Sequence, residues 1–534
     1  MAVEVDILGM AYDIIIRTSG LFDGTGKKFE SADIAIQGGT IVGVGNLGKK
    51  ADAKLVIDAV GKYVTPGFID ITNHSDTRLT IFKYPTQESM IMQGVTTAIG
   101  GNCGASLAPL ASPFAIQAIQ KWSDLSDLNV NWASVKEFLD EVTTYKVGTN
   151  FGMFVGFGTL KRGITGDEAR ALKKDEVEQI SYLIEKSIDE GAFGLSFGLS
   201  YGHERASQTD ELVEIAEAVG RKKGIVKIHL RSEGKELLAA INEAIQIGRE
   251  AQVSVQVSHL KAIGKRAWPL LGKALEMIEN ANDSGVRIHF DVSPYRSTGS
   301  QLYTLVPAGA REGGFRELFA RIDDVAERKK IIEALRALTL HYNSILITSA
   351  KMTDVVGKTI GEIAESSGLS NEEALLQVVR SNDGRVTITG HTISMKNIEA
   401  AVRHDYSFIA SDGAGYGQEE VASGNLVHPR SFGTFPHFLH HFVDDLESLE
   451  IERAIQKITS GPAEKIGLAK RGVIKKGNFA DIVIFDPNII KDRATYRDPF
   501  RFPAGIEWVI VNGRVSVENG KFLGERAGAV LRKG

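Results

Sequence analysis

Four short apolar runs decide the fold: Phe193-Gly-Leu-Ser-Phe197, Ile225-Val-Lys-Ile-His229, Val253-Ser-Val-Gln-Val-Ser258 and Val286-Arg-Ile-His-Phe-Asp-Val292. They begin at intervals of about 30 residues, which is the length of a strand–helix–strand unit with parallel strands. Amphipathic helical patterns lie between them, the clearest at Leu212–Val219, Leu237–Gly248 and Leu275–Ala281. This part of the chain is therefore predicted to alternate strands and helices.

Four further runs extend this alternation in both directions. They are Gly67–Ile71, Val95–Gly100, Gly152–Gly156 and Tyr406–Ala410. Eight strands joined by helical crossovers favour a closed (β/α)8 TIM barrel over an open doubly wound sheet. The predicted fold class is α/β, and the predicted barrel domain spans residues 66–470.

Both ends of the chain have a different, strand-rich pattern. Short apolar or alternating runs occur at Asp13–Arg17, Asp33–Gln37, Thr40–Val44, Ala480–Phe485, Trp508–Val511 and Arg514–Val517. Gly38-Gly39 and Asn512-Gly513 separate neighbouring runs and are typical of hairpin turns. We therefore expect residues 1–65 and 471–534 to form one small β-sandwich domain together.

One interval interrupts the barrel rhythm, because more than 100 residues separate Val292 from Tyr406. A structureless loop of that length is implausible inside a compact domain. Arg311–Leu338 has a charged helical pattern. The sequence thus predicts a subdomain, inserted after strand seven at about residues 296–400.

Composition narrows the class of protein. The 534 residues include 62 Lys and Arg against 67 Asp and Glu, with 43% hydrophobic and 24% charged residues. This balance excludes a fibrous or disordered chain. A net charge of −5 without a block of like charges argues against a nucleic-acid or membrane-surface partner.

The single cysteine and the apolar pattern indicate the compartment. Cys103 has no cysteine with which to form an intramolecular disulfide, which fits a reducing compartment. No run approaches the roughly 18 apolar residues of a membrane span. The segment from Met1 to Asp13 carries acidic residues and lacks the features of a signal peptide. We therefore expect a soluble cytoplasmic protein; the sequence carries no signal for an oligomeric state.

Five reactive side chains follow predicted strands at or just past their carboxyl ends. They are His74, Cys103, His229, His259 and Asp412, after strands one, two, five, six and eight. The carboxyl ends of the strands of a parallel barrel share one rim, where the active sites of such enzymes lie. These five side chains are therefore predicted to converge on one cleft.

The chemistry of this set suits a catalytic metal ion. A thiolate and two imidazoles favour zinc and leave a coordination position open, while Asp412 is suited to accept and return a proton. Each residue also has an ordinary structural explanation. A lone cysteine packs as a small apolar residue, a histidine at a strand end makes local hydrogen bonds, and Ser-Asp-Gly is a common turn.

Two local motifs suggest other chemistry. Gly43-x-Gly45-x-x-Gly48 matches a dinucleotide fingerprint, but the sequence returns to a strand pattern where that fingerprint needs a helix. Gly194–Gly198 and Gly198–Gly202 match the nucleophile elbow of serine hydrolases, with His203 and Asp412 as the obvious partners. Because no helical pattern starts directly after either elbow, both motifs are weak alternatives to the metal site.

Longer motifs resemble the N-acyl-D-amino-acid deacylases (D-aminoacylases) of the amidohydrolase superfamily. The similarity covers nearly the whole chain in order. The matching segments are Pro66–Asp70 leading into His74, Gln93–Thr97, Gly101-Asn-Cys103-Gly, Leu107–Pro109, Gly194-Leu-Ser, His229-Leu-Arg-Ser-Glu233, Ser258-His259-Leu-Lys261, Asp291-Val-Ser-Pro-Tyr295, Ser411-Asp412-Gly413, His428–Pro436, Arg471–Gly477 and Ala480–Asp486.

The resemblance implies a TIM barrel with a β-sandwich from both termini, an insertion after strand seven and zinc-dependent amide hydrolysis. By matching position, it implies that Cys103, His229 and His259 hold the tight zinc ion and that Asp412 is the general acid/base. It also implies that the substrate carboxylate is held by Lys261, Tyr295 and Arg430. Arginine, lysine and tyrosine donors suit a carboxylate.

One position departs from the family. The relatives have His-x-His-x-Asp after strand one, whereas this chain has Thr72-Asn-His74-Ser-Asp76. Threonine is a poor zinc ligand, so a second ion would depend on His74, a bridging Cys103 and Asp76. The resemblance therefore implies one tight zinc site and a weak or absent second site.

The sequence thus predicts a zinc amidohydrolase whose small-molecule substrate is an N-acyl-amino acid with a free carboxylate, probably of D configuration. Two alternatives stay open at this point. One is a related amidohydrolase that acts on cyclic amides or dipeptides, and the other is a non-catalytic scaffold that keeps the barrel. The loop Arg296–Ser300 has no clear counterpart, so side-chain specificity is not predicted.

Overall fold

The structure is a computed structural model that describes residues 12–28, 30–48, 51–119, 129–338 and 340–534. Most of the segment for which the sequence predicts no signal peptide lies outside these residues. None of the described helices is both long and apolar enough to cross a membrane.

Eight parallel strands form the barrel, which confirms the predicted fold class. In chain order they are Phe68–Asp70, Val95–Gly100, Asn150–Met153 continuing as Val155–Gly156, Gly194–Gly198, Ile225–His229, Ser254–Val257, Ile288–Val292 and Ser407–Ile409. Consecutive strands pair in parallel from the first to the eighth. Residues just past strands one and eight close the ring, where the Asp412 amide donates to the Thr72 carbonyl at 2.9 Å.

The crossover helices pack apolar faces on the strands. Leu237–Glu250, for example, buries Leu237, Ala240, Ile241 and Ala244 on one side. The helices around the barrel are Thr80–Lys83, Glu88–Ile91, Val135–Tyr145, Phe157–Thr165, Lys174–Asp189, Gly202–Arg205, Thr209–Arg221, Leu237–Glu250, Leu270–Asp283, Met395–Arg403, Arg430–His437, Ile451–Ile458 and Ser460–Ile466, with a π-helix at Phe438–Asp445.

The insertion after strand seven has a sheet and an apolar core of its own. Its antiparallel strands are Ser297–Gln301, Ile345–Ala350 and Val386–His391, with the last strand in the middle. Its α-helices are Ala308–Arg311, Phe315–Asp323, Val325–Ala337, Ile360–Ser367 and Asn371–Ser381. The predicted helical stretch at residues 311–338 is confirmed, whereas the sequence did not indicate the sheet.

Strands from both ends of the chain form two further sheets. One contains Tyr12–Arg17, Asp33–Gln37, Thr40–Gly45 and Ala53–Asp58, and the other contains Tyr63–Pro66, Ile482–Phe485, Ile506–Val511, Arg514–Glu518 and Lys521–Phe522. Ile14 and Ile34 of the first sheet share an apolar cluster with Ile482 and Ile510 of the second. The domain limits at residues 65 and 470 stay a prediction.

Candidate metal centre

Cys103, His229 and His259 come together at the carboxyl end of the barrel. One ligand atom from each residue lies within 4.8 Å of the other two. The Cys103 sulfur is 3.3 Å from Nε2 of His259, and the two imidazole rings meet edge to face with centroids 4.6 Å apart. Three side chains that are distant in sequence therefore point at one small volume.

A tight turn after strand two presents the Cys103 sulfur. Cys103 itself has a φ of 54°, and Gly101 and Gly104 on either side also have positive φ. A Cβ atom at Gly101 would lie 1.7 Å from the Phe154 carbonyl oxygen, and one at Gly104 would lie 1.8 Å from the Glu204 carboxylate. The Gly-Asn-Cys-Gly motif is thus required by close backbone approach and left-handed conformation.

Buried carboxylates orient His259, which also has a positive φ of 40°. Oδ1 of Asp291 accepts the His259 amide at 2.8 Å, while Oε1 of Glu233 lies 3.2 Å from Nδ1 of the ring. A histidine that donates Nδ1–H to a carboxylate presents Nε2 to a metal ion. Sequence reasoning did not single out Glu233 or Asp291, although both lie in segments that carry the family resemblance.

His229 is oriented by a neighbouring hydroxyl. Its Nε2 lies 2.9 Å from Oγ of Ser200. Its Nδ1 is shielded from solvent and has no hydrogen-bond partner among the described residues. A shielded nitrogen without a partner is costly unless something binds it.

The charges of the group favour a thiolate. Burial raises the pKa of Cys103, but the positive charge and the hydrogen bond of His259 outweigh burial and lower that pKa well below its usual value. Burial and Lys261 lower the pKa of His259, yet the negative charges of Asp412 and Cys103 raise it to about 10. A thiolate is the form of cysteine that binds metals.

A second group of three shares the same sulfur. Nε2 of His74 lies 3.0 Å from Oδ1 of Asp412 and 3.9 Å from the Cys103 sulfur. Oδ2 of Asp412 lies 2.6 Å from Arg430. Burial raises the pKa of Asp412, but Arg430, His259 and His74 together hold it well below its usual value. Asp412 is thus an ionised, firmly held carboxylate beside the sulfur.

Thr72 does not face a candidate ligand group. Its hydroxyl accepts a hydrogen bond from Nζ of Lys227 at 2.6 Å, inside the barrel. Asp76 is also buried, and its Oδ2 accepts the Gly101 amide at 2.7 Å. Burial raises the pKa of Asp76 to about 6. Asp76 therefore supports the Cys103 turn and belongs to neither group of candidate ligands.

The three predicted carboxylate-binding residues line one cavity next to the centre. Lys261, Tyr295 and Arg430, together with His259 and Asp412, face a space of about 450 Å³. Apolar side chains complete its wall: Leu271, Val292, Ile393 and Ile398. Arg296 is exposed and is not among the lining residues.

The other motifs have structural roles. Ser196 of the first elbow donates its hydroxyl to the Gly101 carbonyl at 2.6 Å and accepts the Gly104 amide, so it supports the Cys103 turn. His203 lies 3.2 Å from the Gly166 carbonyl and completes no triad. The glycines at 43–48 lead from strand Thr40–Gly45 towards another strand, without the helix of a dinucleotide site.

The residues present fit a zinc ion. The set offers a thiolate and two imidazoles, one of them with a shielded nitrogen that lacks a partner. A nearby carboxylate, Glu233, orients one imidazole. This combination of ligands and supporting carboxylate is typical of catalytic zinc sites.

Comparisons with known proteins agree with this site. A family model described as "Amidohydrolase family" matches residues 55–517. A D-aminoacylase of Alcaligenes xylosoxydans xylosoxydans is 28% identical over 98% of this chain and 98% of its own length. The resemblance to D-aminoacylases inferred from the motifs is thus confirmed.

Two solved structures are similar over the whole fold. A D-aminoacylase studied for its binuclear metal centre has a TM-score of 0.82 and 29% identity, covering 98% of this chain and 100% of that one. An N-acyl-D-glutamate deacylase of Bordetella bronchiseptica, complexed with zinc and a phosphonate inhibitor, has a TM-score of 0.82 and 26% identity at the same coverage. The chain belongs to the amidohydrolase family.

Proposed function

We propose that this protein hydrolyses the amide bond of N-acyl-D-amino acids, releasing a carboxylate and the free amino acid. The observation that carries the proposal is the convergence of Cys103, His229 and His259 beside Asp412, next to a cavity lined by three carboxylate-binding side chains. The similarity to D-aminoacylase over nearly the full length supports the substrate class.

Cys103, His229 and His259 would hold one zinc ion, with His74 able to contribute only to a weaker position. A bound zinc ion supplies Lewis-acid chemistry, because it polarises a carbonyl group and acidifies water. The thiolate of Cys103 must stay reduced for this purpose. This requirement supports a reducing, cytoplasmic location.

Asp412 is the general acid/base of the proposal. Arg430 engages Oδ2 of Asp412, and His74 lies 3.0 Å from Oδ1. Each carboxylate oxygen can accept two hydrogen bonds, so Oδ1 can still take a proton from the attacking water. Asp412 then donates this proton to the leaving nitrogen, which departs as an amine.

Lys261, Tyr295 and Arg430 orient the substrate. Burial raises the pKa of Tyr295 well above its usual value, so its hydroxyl stays protonated and can donate to a carboxylate. Nζ of Lys261 lies 2.5 Å from Oε1 of Glu233 and is held at the edge of the cavity. Anchoring the carboxylate positions the amide carbon next to Asp412 and the centre.

A substrate panel tests the proposal. The zinc-loaded protein is assayed with N-acetyl-D-amino acids, their L enantiomers, hydantoins, dihydroorotate and dipeptides, before and after treatment with 1,10-phenanthroline. We expect turnover of the D series, inhibition by the chelator and recovery on adding zinc. Turnover confined to cyclic amides or dipeptides, or turnover that survives removal of the metal, would contradict the proposal.

A further inference from the structure

Lys227 lies inside the barrel directly behind the candidate metal centre. It occupies the middle of strand Ile225–His229, two residues before His229, so both side chains point to the barrel interior. Lys227 is fully shielded from solvent. A lysine in such a place must be paired, because burying an unpaired ammonium group is very costly.

Two oxygens of the segment after strand one hold this ammonium group. Nζ of Lys227 donates to the Ile71 carbonyl and to Oγ1 of Thr72, both at 2.6 Å. It also lies 3.9 Å from Oδ2 of Asp291 and over the face of the Phe154 ring. Thr72 is therefore the partner of a buried cation and is not available to a metal ion.

We infer that Lys227, held by Thr72, limits the centre to one metal ion by supplying the positive charge that a second ion would otherwise bring. This inference rests on the proposed function, because it presupposes zinc at Cys103, His229 and His259. It adds a positioning residue to the centre and gives the Thr72 substitution a physical reason.

The balance of charge supports the inference. The negative groups that act on Lys227 are Asp291, Cys103, Asp70 and Asp412. Lys227, Arg430 and one divalent ion already balance these four charges, and the Lys261–Glu233 ion pair balances itself. A second divalent ion would leave an excess of positive charge in a buried site even when Asp76 is counted. Such an excess is strongly disfavoured where the local dielectric is low.

The second group of ligands is also already engaged. Both oxygens of Asp412 have partners, because Arg430 lies 2.6 Å from Oδ2 and His74 lies 3.0 Å from Oδ1. A second ion at His74, Cys103 and Asp412 would have to share the sulfur with the first ion and break the contact between His74 and Asp412. Few ligands and two nearby cationic side chains make this position weak.

Metal content tests the inference with a readout other than activity. Wild-type protein, Lys227→Met and Lys457→Met are equilibrated with excess ZnCl2, desalted and analysed for zinc by mass spectrometry, and ZnCl2 affinities are measured by calorimetry. Lys457 is a matched control, since it is equally buried but donates to His404 and Ser407 below strand eight. We expect one ion in the wild type and in Lys457→Met, and two in Lys227→Met.

The expected size of the effect is at least a tenfold tighter second zinc in Lys227→Met than in the wild type. Two firmly bound ions in the wild type, or a folded Lys227→Met that gains none, would overturn the inference. The wild-type titration decides the matter even if Lys227→Met does not fold, because we expect its second dissociation constant to exceed the first at least a hundredfold. A wild-type protein that binds no zinc would overturn the proposed function as well.

Discussion

Oδ2 of Asp412 lies 2.6 Å from a guanidinium nitrogen of Arg430, in a contact where both side chains are largely buried. The same arginine lines the cavity proposed to receive the substrate carboxylate. Arg430 therefore connects the residue that transfers the proton with the residues that hold the substrate. Binding of the carboxylate and orientation of the base depend on one side chain.

Replacing Asp412 tests the proton transfer. Asp412→Asn keeps the shape of the side chain but removes its basicity, so we expect kcat to fall by about 10²–10⁴. Zinc content should stay at the wild-type value, because Asp412 is not among the three tight ligands. Asp405→Asn, at an exposed position, is the control. Unchanged turnover in Asp412→Asn would remove Asp412 from the mechanism.

Tyr295→Phe tests the anchoring of the substrate. The hydroxyl of Tyr295 stays neutral and donates to an anion, and a hydrogen bond to a charged group contributes about 1.5–3 kcal/mol. We expect KM for an N-acetyl-D-amino acid to rise about tenfold or more, with little change in kcat. The methyl ester of the same substrate lacks the charge and should show no such rise.

The matched control is Tyr182→Phe, because Tyr182 is exposed on the outer face of Lys174–Asp189. An equal loss for the acid and its ester in Tyr295→Phe would show that the residue acts in packing and does not bind the carboxylate.

The barrel could be predicted because its pattern is local. Val95–Gly100 and Ile225–His229 have the bounds predicted from their apolar runs, and the helices between the middle strands follow the predicted periodicity. The strand Ser297–Gln301 was not predicted, since Ser-Thr-Gly-Ser-Gln has no apolar alternation and its pairing with Val386–His391 is long-range. Tertiary contacts decide such a strand.

The candidate site was only partly predictable for a related reason. His74, Cys103, His229, His259 and Asp412 stand out as reactive types at strand ends, and the structure brings them together. Their supporting residues look ordinary in sequence. Lys227 did leave a signal, since a lysine inside an apolar strand, two positions before His229, shares its inward face.

Glu233→Gln tests the support of His259. Removing the negative charge next to Nδ1 weakens the orientation and basicity of the imidazole, and changes of this kind cost about 10–100-fold in metal affinity. We expect zinc affinity, measured by competition with a chelator, to fall within that range. Glu236→Gln, in the same loop but exposed, should bind zinc as the wild type does. Equal affinities in all three proteins would contradict this role.

His289 predicts how stability depends on pH. Its ring stacks on Phe408, and its Nδ1 lies 3.2 Å from the ammonium group of Lys465. Burial, with the charges of Lys465 and Lys457, lowers the pKa of His289 to about 3. Since the unfolded state takes up a proton near pH 6.5 and the folded state does not, this residue's contribution is complete above pH 6.5 and is lost as pH falls towards 3.

His289→Gln should remove that dependence, which amounts to at most about 1.4 kcal/mol per pH unit. We expect the apparent Tm of the variant to rise relative to the wild type as pH falls from 7 to 4. His341→Gln, at an exposed position, is the control. A constant difference in Tm between His289→Gln and the wild type across this range would contradict the assignment.

The most direct test of the central claim is the absorption spectrum of the protein loaded with Co²⁺ in place of zinc. If Cys103, His229 and His259 hold one ion, the spectrum shows a thiolate-to-cobalt charge-transfer band that saturates at one Co²⁺ per chain. The account predicts that Cys103→Ser abolishes this band. A wild-type protein without the band, or a band that persists in Cys103→Ser, would contradict the account.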